Sequence, residues 1–167
     1  MKAFQSANFV TDNYYSIERV YISNQNFGIL KKNETLPAFA ENIKSIELSS
    51  NAISDIENGT FDKFNQLETL KISGNKLKNL SSGVLTEKLG KTLTTLRLNE
   101  YQLSVTSIDF KYMTNLNTLD LDNNNYIDKV IASSTWTFPK SLSNLTTLIL
   151  NYCNITNISE NAFENLR

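Results

Sequence analysis

The sequence predicts an α/β repeat fold: a curved solenoid with a parallel β-sheet on its concave side and an irregular, short-helical convex side. Three observations lead there. The spacing apolar-x-x-apolar-x-apolar recurs six times, successive copies start 26, 24, 26, 23 and 29 residues apart, and asparagine reaches 23 residues against 5 glycines and 2 prolines. Self-similarity at that period marks stacked repeats, each too small to bury its own apolar face. With 167 residues, 40% of them hydrophobic, the chain can fill one core and one domain.

Residues 1–16 precede the first copy. They are expected either to cap one end of the stack through Phe4, Phe9, Tyr14 and Tyr15 or to form the tail of an earlier repeat. The solenoid spans 17–167, with copies reading IERVYISNQNF from Ile17, IKSIELSSNAI from Ile43 and LETLKISGNKL from Leu67. Further copies read LTTLRLNEYQL from Leu93, LNTLDLDNNNY from Leu116 and LTTLILNYCNI from Leu145, the last repeat being incomplete. In each, the fourth and sixth residues alternate with an outward one, as in Leu96-Arg97-Leu98, which is the period of a strand. Side by side, Ile46/Leu48, Leu70/Ile72, Leu96/Leu98, Leu119/Leu121 and Leu148/Leu150 would form one inner ridge. Ile56, Phe61 and Phe64 would close it from the convex side, as would Ile158, Phe163 and Leu166 at the same offsets.

The ninth position holds Gln25, Asn51, Asn75, Tyr101, Asn124 and Cys153. Here the chain turns off the strand, and an amide that both donates and accepts satisfies backbone groups of its own turn and the neighbouring one. Tyr101 cannot replace an amide in that space, so a local irregularity is expected in the fourth repeat. On these motifs, over residues 17–167, the chain resembles the leucine-rich repeat family, in the form with repeats near 24 residues found in receptor ectodomains and receptor-like kinases. The resemblance implies a structural ladder of Asn51, Asn75, Asn124 and Cys153, with Cys153 a buried rung rather than a nucleophile. Secreted animal members usually carry cysteine-rich caps, and a chain with one cysteine departs from that pattern.

Binding in such an architecture belongs to the outward strand positions, which vary without disturbing the core. The fifth column reads Tyr21, Glu47, Lys71, Arg97, Asp120 and Ile149; the third, Arg19, Ser45, Thr69, Thr95, Thr118 and Thr147; the seventh, Ser23, Ser49, Ser73, Asn99, Asp122 and Asn151. Glu47 beside Lys71 and Arg97 beside Asp120 are cross-strand pairs worth about 0.2–1 kcal/mol each if exposed. Tyr21, Arg97, Ile149 and Tyr152 are the candidate anchors, because tyrosine and arginine dominate binding energies and an outward isoleucine on a strand face is unusual. The longest spacer contains the sole tryptophan, Trp136, and Pro139 stands six residues before the next copy, as Pro37 does earlier. That shared formula assigns Trp136 to the convex wall.

Inventory narrows the function. The chain has no histidine, one cysteine and no glycine-rich phosphate loop, so the usual nucleophile and base pairs are missing and neither catalytic residue nor cofactor nor metal site is expected. Asp120, Asp122 and Asp128 lack the spacing of a calcium loop and read as a solvated face. A net charge of −1 offers no footprint for nucleic acid, and no apolar run reaches membrane-spanning length, so a membrane would be met only through a segment outside this chain. Sequons at Asn33, Asn58, Asn79, Asn144, Asn154 and Asn157 barely exceed their chance number, and shift location only slightly towards the exterior; Asn33, Asn58 and Asn79 are the candidate acceptors, since Asn144 and Asn154 adjoin structural positions. What the family resemblance implies is a non-catalytic module recognising a protein or peptide through its concave face, as a segment of an extracellular or cell-surface receptor. The alternatives are a cytoplasmic scaffold, and the repeat portion of a kinase or other enzyme whose catalytic domain lies elsewhere.

Overall fold

The computed structural model describes residues 17–36, 41–99, 103–124 and 127–166. Tyr101, Pro37 and residues 1–16 lie outside the described residues. Six three-residue strands, β1 (Arg19–Tyr21), β3 (Ser45–Glu47), β5 (Thr69–Lys71), β6 (Thr95–Arg97), β7 (Thr118–Asp120) and β8 (Thr147–Ile149), form one parallel sheet in that order. A second pair, β2 (Ile29–Leu30) and β4 (Asp55–Ile56), is also parallel. Between strands run α1 (Glu87–Gly90), a 3₁₀ turn at Val105–Ser107, α2 (Ile127–Ile131) and a 3₁₀ turn at Lys140–Leu142.

The strands fall on positions three to five of each repeat, and pairing keeps the columns in register: Arg19, Ser45, Thr69, Thr95, Thr118 and Thr147 stand side by side. Four of these six residues are threonine, whose branched side chain suits a pleated, half-buried surface. Register is reinforced before each strand begins. The Glu18 carbonyl accepts the N–H groups of Lys44 and Ser45 at 2.8 and 3.0 Å, and the same forked bond recurs at the carbonyls of Lys44, Glu68, Thr94 and Asn117.

A one-residue slip would therefore break both this fork and the burial of the inner ridge. That ridge is closed to solvent through Ile46, Leu48, Leu70, Ile72, Leu96, Leu98, Leu119 and Leu121. Ile56, Phe61 and Phe64 face it from the convex wall, as their offsets predict. The final coil differs from expectation: Leu148, Leu150, Phe163 and Leu166 are only partly buried and Ile158 is 49% exposed. Among the described residues no further coil lies against them, so the layer is covered on one side only. Trp136 packs on the convex wall, meeting the buried Phe138 edge to face at 4.7 Å, while Phe138 stacks on Phe163 at 5.9 Å.

Short helices carry their own local signals. Thr86 caps α1, its hydroxyl accepting the Leu89 N–H at 3.2 Å, with Glu87 in the favourable first turn. At the other end of α1, Gly90 lies so close to the Tyr112 carbonyl that a Cβ would fall on that oxygen. A glycine is required there by contact and not by backbone angle.

Candidate functional site: the concave sheet face

The ninth-position side chains hold the turns that frame the face. Asn51 Nδ2 donates to the Ile22 carbonyl at 2.6 Å, Asn75 Nδ2 to Leu48 at 2.9 Å, Asn124 Nδ2 to Leu98 at 2.9 Å, and Cys153 Sγ to Leu121 at 3.3 Å. Each acceptor is the sixth residue of the preceding repeat. The amide oxygens complete the ladder in the same direction: Asn51 Oδ1 accepts the Gln25 N–H, and Asn75 Oδ1 accepts those of Asn51 and Ile53. Asn124 Oδ1 is buried and has no partner among the described residues; the group its pattern would pair with belongs to Tyr101, outside them.

Burial pushes the Cys153 thiol above its ordinary pKa, more than the backbone N–H groups of Asn124 and Asn123 draw it down, and nearby Asp122 and Asp120 add to the rise. A neutral, buried thiol reacts slowly. Ellman's reagent at pH 8 is expected to modify Cys153 at least about 100-fold more slowly in the folded protein than in denaturant. Because folding favours the protonated form, the thiol's contribution to stability is complete below its unfolded pKa and fades as pH rises through the raised native one.

One residue before the ladder, the backbone is left-handed at each of the five described eighth positions: Asn24 (φ 58°), Ser50 (59°), Gly74 (65°), Asn123 (59°) and Tyr152 (52°). Asparagine, serine and glycine tolerate this region, whereas a tyrosine is strained there by about 1–2 kcal/mol. Tyr152 is also 78% exposed. The recurrence of Asn, Ser and Gly at the eighth position was the signal that could have revealed this column.

Between these turns the fifth column crosses the sheet. Tyr21 is 61% exposed at its first strand. Glu47 and Lys71 are paired at 3.0 Å and half-buried. Arg97 Nε stands 4.0 Å from Asp120 Oδ2, beyond hydrogen-bond reach, and is closed to solvent with no hydrogen-bond partner among the described residues. Asp120 departs from the solvated position expected of it: the residue is 5% exposed, lies between Arg97 and Ile149 in the sheet, and turns Oδ1 to the Asp122 N–H at 3.1 Å. It serves the turn more than the surface. Ile149 is partly buried beside it. Asp122 Oδ1 is a second orphan, unpaired and out of solvent, and Ser73 Oγ donates to Asn99 Oδ1 at 3.0 Å. The face thus joins Glu47 to Lys71 and Arg97 to Asp120, leaves Tyr21 and Tyr152 exposed at opposite margins, and holds one guanidinium N–H and one carboxylate oxygen out of solvent with no partner among the described residues. Among the described residues no three acidic, cysteine or histidine side chains gather as metal ligands.

Comparison with known proteins agrees with this geometry. A family model described as leucine rich repeat matches residues 38–87, and a second of the same description matches 144–166. Mimecan from Bos taurus is 33% identical over 135 residues, which cover 79% of this chain and 41% of that protein; the mimecans of Homo sapiens and Pongo abelii match to the same extent. The chain is a leucine-rich repeat protein. It spans about two fifths of the length of the curated relatives it matches. In this leucine-rich repeat chain the first family match covers the second and third repeats, where the ladder is formed by Asn51 and Asn75. Of the sequons, Asn33, Asn58 and Asn79 are exposed, and so are Asn144, Asn154 and Asn157. Asn58 Oδ1 accepts the Ser81 hydroxyl at 2.7 Å, and Asn144 Nδ2 donates to the Thr114 carbonyl at 2.7 Å, so a glycan on Asn144 would displace a structural bond.

Proposed function

We propose that this chain is a non-catalytic recognition module whose concave face binds a protein or peptide, and that it works outside the cell or at the cell surface as part of a receptor. The carrying observation is a sheet face with two exposed tyrosines at its margins and the partly exposed Arg97 side chain between them. Tyr21, Tyr152 and Arg97 are the anchors, because aromatic and guanidinium groups combine large contact area with directional bonding. Glu47, Lys71, Asp120 and Ile149 shape the ground around them. The charges of the pairs cancel locally, so the ligand is selected by contact and hydrogen bonding rather than steered from a distance. Exposure of Asn33, Asn58 and Asn79 and the likeness to the mimecans support the extracellular placement.

Proximity labelling on intact cells with the secreted protein tests both parts. The combined variant Tyr21→Ala, Arg97→Ala, Ile149→Ala should lose the labelled partners by at least about tenfold while keeping its thermal midpoint within a few degrees. The secreted protein should also lose mass on enzymatic deglycosylation, traceable to Asn33, Asn58 or Asn79. Retention of every partner by the variant would move binding to another face, and an unchanged mass would count against the extracellular placement.

A further inference from the structure

The fourth repeat has the shortest arc and the fifth the longest, with 23 and 29 residues between starts. Stacked together they do not match, and a cleft of about 450 Å³ opens between the 3₁₀ turn at Val105–Ser107 with the segment after it and the segment before and within the turn at Lys140–Leu142. This volume lies in the range of small-ligand sites. Phe110, Pro139 and Trp136 supply its apolar lining, and Asp109 and Lys111 bring one charge of each sign. Asp109 Oδ1 accepts the Lys111 N–H at 3.0 Å, and the Lys111 ammonium sits 4.8 Å over the Tyr112 ring, so both charges are held locally. Two polar groups have no such employment. The Ser141 hydroxyl is buried without a hydrogen-bond partner, and among the described residues the Trp136 indole N–H has none either.

We propose that this convex cleft binds a neutral pyranose ring. An occupant must be compact, because the cleft holds only about 450 Å³; neutral, because the opposite charges balance; and able to donate and accept several hydrogen bonds while presenting an apolar face. A pyranose meets all of these together. Its C–H face covers Trp136, and its hydroxyls accept from the indole N–H, exchange a bond with Ser141 and donate to the Asp109 carboxylate. The surface is separate from the concave face, and the two readings stand or fall apart.

Trp136 is the sole tryptophan of the chain, so its fluorescence reports on this cleft alone. The folded protein is titrated with free N-acetyllactosamine and mannotriose, and with asialofetuin before and after enzymatic removal of its glycans. A saturable change with either free sugar, or with asialofetuin only while its glycans are present, is the expected result; the first indicates a soluble saccharide and the second a protein-borne chain. Asp109→Ala and Ser141→Ala, each checked for an unchanged thermal midpoint, should weaken binding by about tenfold or more. The proposal is overturned if no sugar gives a saturable change up to tens of millimolar, if asialofetuin binds equally after deglycosylation, or if both variants bind as the parent does.

Discussion

Replacing Asn75 by alanine is expected to destabilise the protein by about 3 kcal/mol or more, seen as a shift of the urea midpoint with little change in slope. The side chain makes bonds in two directions at once. Its Nδ2 donates to the carbonyls of Leu48 and Ile72 at 2.9 and 2.6 Å, and its Oδ1 accepts the N–H groups of Asn51 and Ile53 at 2.9 and 3.0 Å. Alanine leaves these groups with nothing to replace the amide, and each unsatisfied one costs about 1–3 kcal/mol. Some are reached by water at the turn, which lowers the sum. Asn75→Asp should recover the accepting half and lose the donating half, so an intermediate midpoint is expected. A midpoint for Asn75→Asp equal to the parent's, with Asn75→Ala still destabilised, would show that the side chain acts by its volume and not by its bonds.

The second large effect is expected at Gly90. An alanine Cβ there would overlap the backbone carbonyl oxygen of Tyr112 and crowd the Met113 methyl. Backbone cannot rotate aside as a side chain does, so the third and fourth repeats must separate locally. The cost is about 3 kcal/mol, at the upper end of overpacking in cores. Gly28→Ala is the control: its Cβ would meet nothing within 4 Å, and its φ of 63° brings only local strain of about 1 kcal/mol. Thermal midpoints of the two variants compare directly. A Gly90→Ala protein as stable as Gly28→Ala would mean that the two arcs are loosely packed.

What could be read in advance follows from which properties are local to one repeat. The ladder was legible at Asn51, Asn75, Asn124 and Cys153 because an amide or thiol at a fixed offset has one structural use there. Register was legible too, since a parallel stack with a buried ridge admits no slip. The pairing of Glu47 with Lys71 followed from register alone. Burial of Asp120 did not, because it depends on how Arg97 and Ile149 lie on either side and on the turn at Asp122. Exposure of Ile158 was missed for a similar reason: its offset equals that of Ile56, but coverage comes from the next coil and not from the residue. The strain at Tyr152 needed the eighth position to be read as a column, and the cleft needed the lengths of two neighbouring arcs to be compared.

The strand order has a mechanical consequence. Because β1, β3, β5, β6, β7 and β8 lie side by side in chain order, a pull on the two ends acts along the line that joins one strand to the next. The bonds between coils are then opened in succession, as a zip is, and not sheared together. Each coil released adds 23–29 residues of slack, about 8–10 nm when extended. Under tension this protein should pay out in small, evenly sized steps at low force, behaving as a spring with a long travel rather than as a rigid link.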